Sequence, residues 1–365
     1  MNKKKYLFVI RSMTGGGAER VVSVLASRMA RKGSDISIIA YDRTENDYPV
    51  DPAVKMYYMP EAKRNLIGKA SRITAMRRLI RQIQPDVIIP FVGTILFVAY
   101  LASLPEKIPF IRTVRNSPWK EENNFFKKMA LRFIEKKASA IWVQNKEQTE
   151  FFPEKFHKKI YVIPNPVSDS FIDSGKEHYC NRIKRIVTAG RLSPQKNQAL
   201  LIRGFAEAAK RDADIELMIY GTGGEKEYLQ QLIDGFKLSD RCVLCGRNND
   251  MVSVLKETDL FVLTSDYEGM PNALMEAMAM GVPSVSSDCK TGPGTLIQDG
   301  ENGLLFKKGD VNDFLDKLNW AMDHTEEMNQ MGQNARSSIL QSYKTDDICD
   351  NMRRVLDAVT AERKC

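Results

Sequence analysis

Two glutamates frame the start of an apolar segment and are the first candidates for chemistry in this sequence. Glu268 precedes Pro271, and Glu276 lies inside the run 273–280, whose other residues are all apolar. The run predicts a helix that is buried nearly all round and has Pro271 at its first position. A buried carboxylate without a partner costs on the order of several kcal/mol, so Glu276 requires either a buried Arg or Lys or a polar ligand. Free amides of the first turn lie between the two carboxylates, which suits a polyol ligand.

Two cations follow a predicted strand in the second half of the chain. The strand covers residues 185–189, and Gly190, Arg191 and Lys196 come directly after it. Arg binds phosphate through two parallel hydrogen bonds, whereas Lys acts as a movable point charge. The spacing therefore indicates a phosphate site at the carboxyl end of a strand. A solvated surface pair of cations is the alternative interpretation.

Two glycine-rich loops also follow predicted strands. Residues 15–17 are three glycines that open a helix, and residues 221–224 read Gly-Thr-Gly-Gly. Neither loop has the G-x-G-x-x-G spacing, because Arg20 and Lys226 stand where the last glycine should be. The chain contains no G-x-x-x-x-G-K-[ST] motif, so neither dinucleotide binding nor NTP hydrolysis is supported. Backbone contact with an anionic ligand and a simple tight turn both remain open.

Metal and histidine chemistry have little support. The D-x-D sequence at 212–214 precedes a strand and is read as a solvated turn. Cys242 and Cys245 have C-x-x-C spacing but no second pair or nearby His, and they are read as small residues of a strand. We expect no metal, no cofactor and no His base, since none of the three histidines lies in a strand-end loop: His157, His178 and His324.

Apolar strands alternate with helical stretches in both halves of the chain, which predicts parallel sheets covered on both faces. The predicted strands are 6–10, 35–40, 87–91, 110–114, 140–144, 185–189, 216–220, 242–245, 260–263 and 284–286. This pattern predicts an α/β protein with two facing Rossmann-like domains. Ligands bind beyond the carboxyl ends of such strands, so the site is expected in the interdomain cleft. The expected domains are 1–166 (acceptor side) and 180–345 (donor side), with a final helix in 346–365 that packs back on the first.

The charge of +8 is unevenly distributed along the 365 residues. Residues 1–173 carry 30 Lys and Arg against 17 Asp and Glu, and the remainder carries 24 against 29. The basic excess indicates an anionic partner for the first half. Two stretches, 63–81 and 125–137, combine basic and apolar residues and are interpreted either as membrane-surface helices or as ordinary solvated helices. The uncharged run 87–104 is read as a buried strand and helix because Pro90 and Gly93 interrupt it. Without a visible signal peptide, we expect a cytoplasmic protein, and the membrane-surface reading adds peripheral association with the inner face of the membrane.

In this order the motifs resemble the retaining glycosyltransferases of family 4, which have the GT-B fold. The resemblance covers nearly the whole chain, and its carriers are 15–20, 164–167, 190–197, 220–223, Glu268 with Glu276, and 299–305. It implies that Arg191 and Lys196 hold the donor diphosphate, that Glu276 takes the ribose hydroxyls and that Glu268 faces the transferred sugar. Arg191, Lys196 and Glu268 would be the catalytic groups. The implied donor-binding set is Gly15, Gly16, Gly17, Gly190, Arg191, Lys196, Gly221, Gly223, Arg247, Glu268, Gly269, Met270, Asn272, Ala273 and Glu276.

One departure from the family pattern concerns the loop after the fourth strand. Many members carry a His there, whereas this chain has Arg115 followed by Asn116, which we place on the acceptor side. The resemblance implies transfer of a hexose from a nucleotide-sugar to a glycan precursor. Of the two donor bases that the sequence leaves open, we favour UDP over GDP. The basic first half fits a lipid-linked acceptor in cell-surface polysaccharide synthesis. The alternatives are a non-catalytic nucleotide-sugar-binding partner, a nucleotide-sugar epimerase and a glycan phosphorylase. No nucleic-acid partner is expected.

Overall fold

The structure is a computed structural model, and it describes residues 3–44, 47–61, 66–91, 93–121, 125–175 and 180–361. The chain divides into two compact units. The first unit is Met1–Pro166 together with Thr345–Cys365, and the second is Val167–Lys344. Parallel strands form the centre of each unit, in two sheets in the first unit and in one sheet in the second.

The first unit is built on parallel strands whose inward residues are Val, Ile, Leu and Phe. One sheet has the order β3-β2-β1-β4 and a second has the order β5-β6-β7, with a single bridge between Ile88 and Phe110. The strands are β1 (Lys5–Ile10), β2 (Asp35–Ala40), β3 (Lys55–Tyr58), β4 (Val87–Pro90), β5 (Ile111–Thr113), β6 (Ala140–Val143) and β7 (Ile160–Val162). The helices in the N-terminal part of this unit are α1 (Gly17–Arg31), α2 (Leu66–Ile83), α3 (Thr94–Ser103), α4 (Pro118–Glu121) and α5 (Phe125–Lys137). Short 3-10 turns occur at Leu104–Glu106, Glu147–Phe151 and Glu154–Lys159.

The second unit has one six-stranded parallel sheet in the order β10-β9-β8-β11-β12-β13. Its strands are β8 (Arg185–Ala189), β9 (Glu216–Tyr220), β10 (Cys242–Gly246), β11 (Leu260–Leu263), β12 (Ser284–Asp288) and β13 (Leu304–Lys307). Its helices are α6 (Asp169–Ser174), α7 (Gln198–Arg211), α8 (Lys226–Gly235), α9 (Met251–Lys256), α10 (Asn272–Ala279), α11 (Pro293–Leu296), α12 (Val311–Asp323) and α13 (Thr325–Ser342), with a 3-10 turn at Pro194–Lys196. The strand order reverses between β8 and β11. This reversal creates the crevice in which doubly wound sheets bind ligands.

The last helix, α14 (Thr345–Ala361), packs on α1 of the first unit. Its buried face, which includes Ile348, Met352 and Leu356, shares a core cluster with Val22 and Leu25 of α1. Charged residues on the rim of this contact add ion pairs, with Asp346 beside both Arg28 and Lys32 at 2.8 Å. Amphipathic burial is therefore what holds the chain's C-terminal segment against the first unit.

The predicted α/β class with parallel sheets is confirmed, and all ten predicted strands occur with bounds that shift by at most two residues. Three strands were not predicted: β3, β7 and β13. The run 87–104 is a buried strand followed by a helix, as expected. No helix in the described ranges is both long and apolar enough to cross a membrane. Of the two basic stretches, 63–81 falls on α2 from residue 66 onward, and residues 63–65 lie outside the described residues.

Candidate active site

The candidate site of the second unit forms where two loops leave adjacent strands. Gly190 follows β8, and Glu268 lies in the loop that follows β11. β8 and β11 are hydrogen-bonded neighbours, so both loops emerge at the same edge of the sheet and at its point of strand reversal. The motifs at 190–197 and 268–276, far apart in sequence, are thereby brought together.

A set of hydrogen bonds ties these two loops to each other. The Gln195 side chain donates to the Tyr267 carbonyl at 2.9 Å, and the Gln195 carbonyl accepts from the Asp266 amide at 2.8 Å. The Asn197 amide donates to the Asp266 carboxylate at 3.1 Å, and the Asn197 side-chain oxygen caps α7. The Thr264 hydroxyl donates to the Asn197 carbonyl at 3.0 Å. These bonds fix the backbone on either side of Lys196 and Glu268.

Lys196 and Glu268 form an ion pair at the centre of the two loops. The Lys196 Nζ lies 2.6 Å from the Glu268 Oε1, and the Ser265 hydroxyl donates to the same oxygen at 2.6 Å. Glu268 is only 6% exposed. A carboxylate buried to this degree needs such donors, so the loop geometry and the pair depend on each other. The stem of Lys196 lies over Gly190, where a Cβ would come within 3.1 Å of the Lys196 Cε.

The loop that carries Glu268 leads directly into helix α10. α10 starts at Asn272 with Pro271 in the capping position, so the prediction that Pro271 is the first helical residue was off by one position. Glu276 is 6% exposed, which confirms the expected burial. Asn272 and Ala273 are partly exposed at the helix N-terminus, whereas Gly269 and Met270 are buried beneath them. The positive end of α10 therefore lies at the partly exposed end of the loop that carries Glu268.

Glycines allow neighbouring strand-end loops to approach closely. Gly221 has φ 140°, and a Cβ there would collide with the Gly190 carbonyl. A Cβ on Gly223 would collide with the Leu192 carbonyl. The Leu192 amide in turn donates to the Thr222 carbonyl at 3.0 Å. The glycines at 221 and 223 thus serve the packing of this loop against the 190–192 segment.

Two further predicted cations lie at the rim of this sheet edge. Arg191 is exposed, and within the described residues its guanidinium makes no ion pair. Its carbonyl accepts from the Gln198 side chain at 3.0 Å, which anchors its backbone. Arg247 is also exposed and comes directly after β10, two strands away from β8. Arg191 therefore supplies a positive charge that is available to a ligand.

Several polar residues of this site were missed by sequence reasoning. Ser287 donates to the Ser265 carbonyl at 2.6 Å, and Thr291 donates to the Glu268 carbonyl. Cys289 lies beside them, and burial together with the Glu268 charge raises the pKa of its thiol to about 12. Their position at strand ends could have identified them, because 264–266 follow β11, 289–291 follow β12, and Ser287 is the next-to-last residue of β12.

In the first unit the glycine loop precedes α1. Gly15 has φ 82°, Gly16 caps the helix, and Gly17 is its first residue. A Cβ on Gly16 would collide with the Glu19 carboxylate. Gly15 and Gly17 are exposed, so a ligand can approach the backbone at the positive end of α1.

Arg115 lies at the carboxyl end of β5 and is held between aromatic rings. Its guanidinium carbon lies 3.8 Å from the Trp142 ring centroid and 4.4 Å from that of Phe91. Its Nη1 donates to the Asn165 side chain at 3.1 Å, and no carboxylate of the described residues pairs with it. Burial lowers the pKa of Arg115 to about 9, which still leaves the group cationic at neutral pH. Asn116 accepts from the Ser117 amide at 2.8 Å and shapes the turn that follows.

The residues considered for metal or histidine chemistry have structural partners. Asp212 and Asp214 both pair with Arg182, at 2.5 and 3.1 Å. The described residues hold no group of three or more His, Cys, Asp or Glu side chains suited to a metal ion. His157 is hydrogen-bonded to a backbone carbonyl and His324 stacks on Trp320, whereas His178 lies outside the described residues.

Two family profiles match the chain in succession. Residues 15–171 match the profile described as Glycosyltransferase Family 4, and residues 180–338 match that of Glycosyl transferases group 1. The chain belongs to the family 4-like glycosyltransferases of the GT-B fold. The recognition of this family from the sequence motifs is therefore confirmed.

Several glycosyltransferases of known sequence are similar over most of their length. An uncharacterized glycosyltransferase of Haemophilus influenzae is 26% identical over 356 residues, which are 97% of this chain and 100% of that protein. The UDP-Gal:alpha-D-GlcNAc-diphosphoundecaprenol alpha-1,3-galactosyltransferase of Escherichia coli is 26% identical over 354 residues, 90% of each chain. The relatives include bacterial enzymes named for steps in polysaccharide or lipid-linked glycan synthesis.

Solved glycosyltransferase structures share the fold. A TarM mutant of S. aureus in complex with fondaparinux, alpha-GlcNAc-glycerol and UDP superposes with a TM-score of 0.82 at 17% identity, covering 97% of this chain and 99% of that one. HepE of Anabaena in complex with UDP and glucose gives a TM-score of 0.79 at 19% identity, with coverage of 97% and 99%. These likenesses confirm two Rossmann-like domains.

Proposed function

We propose that this glycosyltransferase moves a hexose from a UDP-sugar to a lipid-linked glycan precursor in cell-surface polysaccharide synthesis, with retention of configuration. The observation that carries the proposal is the Lys196–Glu268 pair at the strand reversal of the second unit, flanked by the exposed Arg191 and the N-terminus of α10. This arrangement combines cations for a diphosphate with acceptors for sugar hydroxyls. It requires no other reactive group.

Each side chain has a proposed role that follows from its chemistry. Arg191 and Lys196 bind the diphosphate, Glu276 accepts from the ribose hydroxyls, and Glu268 orients Lys196 and faces the transferred sugar. In the reaction the bond between the sugar C1 and the diphosphate oxygen breaks, the acceptor oxygen bonds to C1, and the proton of the acceptor hydroxyl passes to the departing diphosphate oxygen. The departing diphosphate gains negative charge, and preorganised cations and amide dipoles stabilise that charge without reorganisation.

The two carboxylates are proposed as positioning groups, not as a general acid and base. The Glu268 Oε1 already accepts from Lys196 and from Ser265, so we do not propose this oxygen as a proton acceptor. Cations and helix dipoles suffice for the leaving group in this scheme. We therefore propose that transfer needs no added divalent metal ion, which a rate unchanged by chelator would support.

The proposed donor and acceptor rest partly on the relatives. The E. coli relative is named for UDP-Gal and a diphosphoundecaprenol acceptor, and the TarM and HepE structures contain UDP. In the first unit, the N-terminus of α1 and the cation of Arg115 are proposed to bind anionic parts of the substrates. A lipid-linked acceptor also requires the enzyme to work at the membrane surface.

The decisive experiment measures binding and transfer separately. A thermal-shift screen with UDP- and GDP-sugars identifies the donor, since bound donor raises the melting temperature by mass action. Transfer from that donor to a polyprenyl-diphosphate sugar is then followed in detergent. We expect Arg191→Ala and Glu276→Ala to abolish transfer with the fold intact, and Glu257→Ala, an exposed carboxylate of the same unit, to have no effect.

The other classes considered for this chain appear as distinct outcomes. Free epimerised nucleotide-sugar would identify an epimerase, and a phosphate-dependent reaction would identify a phosphorylase. Donor binding without turnover on any lipid-linked acceptor would identify a non-catalytic partner. Full transfer activity in Arg191→Ala or Glu276→Ala would contradict the site assignment.

A further inference from the structure

Helix α5 of the first unit exposes a large apolar face. Phe126 is 82% exposed, Phe125 is 69%, Met129 is 56% and Phe133 is 54%. We call these four residues the α5 apolar face. Isolated exposed apolar residues are common on proteins, but four adjacent ones that include three phenylalanines form a patch, and such patches mark interaction sites.

The helix is apolar on two opposite sides. Leu131 and Ile134 are buried and anchor α5 to the core of the unit. Phe126, Met129 and Phe133 recur at intervals of three and four residues, so they form a second stripe that points away from the core. One apolar stripe is enough to dock a surface helix. The second stripe therefore needs a separate explanation.

The apolar face continues onto the neighbouring end of α3. Phe133 packs edge-on against Tyr100 with ring centroids 6.2 Å apart. Beyond Tyr100, Leu101 and Leu104 are exposed as well. Leu104 also lines a cavity of about 500 Å³ together with Lys137 at the end of α5, which shows that the two helices share one surface.

Basic residues surround this surface. Residues 125–137 contain five Lys or Arg and one acidic residue, Glu135. Glu135 is fully buried and is paired with Arg132 at 3.1 Å, so its charge does not offset the cations at the surface. Lys128, Lys136 and Lys137 are exposed on the same helix. An apolar stripe within a basic border is complementary to an anionic bilayer, in which lipid phosphates overlie the acyl chains.

We infer that α5 docks this protein on an anionic lipid bilayer, with the α5 apolar face entering the boundary between head groups and acyl chains. Lys128, Lys136 and Lys137 contact the lipid phosphates. The inference rests on the proposed function, because a lipid-linked acceptor lies in that bilayer. It selects between the two basic stretches of the sequence and assigns the contact to 125–137.

The contacts of α2, the other basic stretch, support this choice. Arg77 donates to the Leu101 carbonyl at 3.3 Å, and Arg81 pairs with Glu106 at 2.7 Å. One of these cations thus binds the last turn of α3, and the other binds the 3-10 turn that follows it. In addition, none of the described α2 side chains is a large exposed apolar residue. α2 adds positive charge beside the surface, and α5 supplies the part that inserts.

The test is co-sedimentation of the full chain with vesicles. Vesicles of phosphatidylcholine alone are compared with vesicles containing about equal parts of phosphatidylglycerol, at low and high salt. We expect binding to the anionic vesicles that salt weakens and does not abolish, because insertion of apolar groups is not screened. Phe125→Ser/Phe126→Ser/Phe133→Ser should lower binding at least tenfold at both salt concentrations. Lys128→Glu/Lys136→Glu/Lys137→Glu should lower it mainly at low salt.

The matched control is Phe236→Ser, which removes another exposed phenylalanine (39%) from the second unit and should bind as the parent does. Thermal-shift binding of the UDP-sugar and transfer in detergent should be unchanged in all three variants. If the parent chain itself showed no UDP-sugar binding and no transfer in detergent, that result would contradict the proposed function. It would not contradict the inference that α5 binds a membrane. Equal vesicle binding by parent and serine variant would overturn the inference. A second result would also overturn the inference: the parent fails to bind vesicles and is a dimer in light scattering, whereas the serine variant is a monomer. The α5 apolar face would then bind a second copy of this chain.

Discussion

Lys196 and Glu268 are 72 residues apart in the chain and lie 2.6 Å apart in the second unit, on loops that leave neighbouring strands. Breaking a buried pair costs more than the pair itself contributes, because one charge is left without a partner. Lys196→Met leaves the Glu268 carboxylate with Ser265 as its remaining side-chain donor among the described residues. We expect a loss of about 3 kcal/mol in the free energy of unfolding and a fall in kcat of about a hundredfold or more.

A double-mutant cycle separates the two roles of this pair. Glu268→Gln keeps an oxygen that accepts from Lys196 and Ser265, so it should destabilise less than Lys196→Met. The double variant Lys196→Met/Glu268→Gln should be more stable than Lys196→Met, because no unpaired carboxylate remains. It should regain no activity, because both of these variants lack the Lys196 cation that binds the diphosphate. Urea unfolding and initial rates at saturating donor measure the two quantities. Additive effects on stability would contradict the coupling.

Gly221 and Gly224 form a matched pair in one loop. Gly221→Ala places a Cβ against the Gly190 carbonyl at φ 140°, whereas a Cβ on Gly224 meets no atom within 4 Å. We expect Gly221→Ala to cost about 3 kcal/mol or more and to abolish donor binding, because the 190–192 segment must move. Gly224→Ala should change the unfolding free energy by less than about 1 kcal/mol. Similar urea midpoints for the two variants would show that the close approach of the loops is unimportant.

Alkaline pH should destabilise the protein through its buried thiols. Burial raises the pKa values of Cys242, Cys289 and Cys349 to about 12, from an ordinary value near 9. Because the thiol pKa is higher in the folded state, the unfolded chain releases its thiol protons first as the pH rises. The contribution of the neutral thiols to the free energy of unfolding is therefore complete below pH 9 and is lost between pH 9 and 12. One such thiol accounts for about 1–2 kcal/mol by pH 10.5. Urea midpoints at pH 8 and 10.5 measure the loss, and Cys289→Ala should show a shallower decline.

The sequence predicted the strands with long apolar runs, whereas two of the three strands that it missed, β3 and β7, are short and half-exposed. β11 reads Leu-Phe-Val-Leu, and β1 ends in Leu-Phe-Val-Ile, as expected inside a parallel sheet. β3 reads Lys-Met-Tyr-Tyr and has no fully buried residue, and β7 has three residues of intermediate exposure. Periodicity carries no signal in such short segments, so only tertiary pairing defines them.

The site shows the same limit at the level of side chains. Lys196 and Glu268 were each predicted as site residues, but their ion pair depends on the adjacency of β8 and β11, which the strand list does not specify. The orientation of α5 is a second example. Its sequence has apolar residues on both sides, so only packing reveals that Phe126 faces outward and Ile134 inward.

Arg115 provides the test of the acceptor side. Its guanidinium is stacked on Trp142 and Phe91 and pairs with no carboxylate of the described residues, so desolvation opposes the stacking energy of about 1–2 kcal/mol. We therefore expect Arg115→Gln to change the free energy of unfolding by no more than about 1 kcal/mol. The same variant should raise the KM for a diphosphate-linked acceptor at least tenfold, with the Kd for the donor unchanged.

Two further variants distinguish an anion-binding role from a structural one for Arg115. Arg115→Lys keeps the charge but loses the planar stacking and the fork of donors, so it should recover only part of the acceptor affinity. Arg31→Gln, which removes an exposed Arg paired with Asp51, is the control and should leave both constants unchanged. Initial rates across a range of acceptor concentration give the KM, and thermal shift gives the donor Kd. An Arg115→Gln protein that loses more than about 2 kcal/mol and keeps its acceptor KM would show that the cation serves the fold and not the substrate.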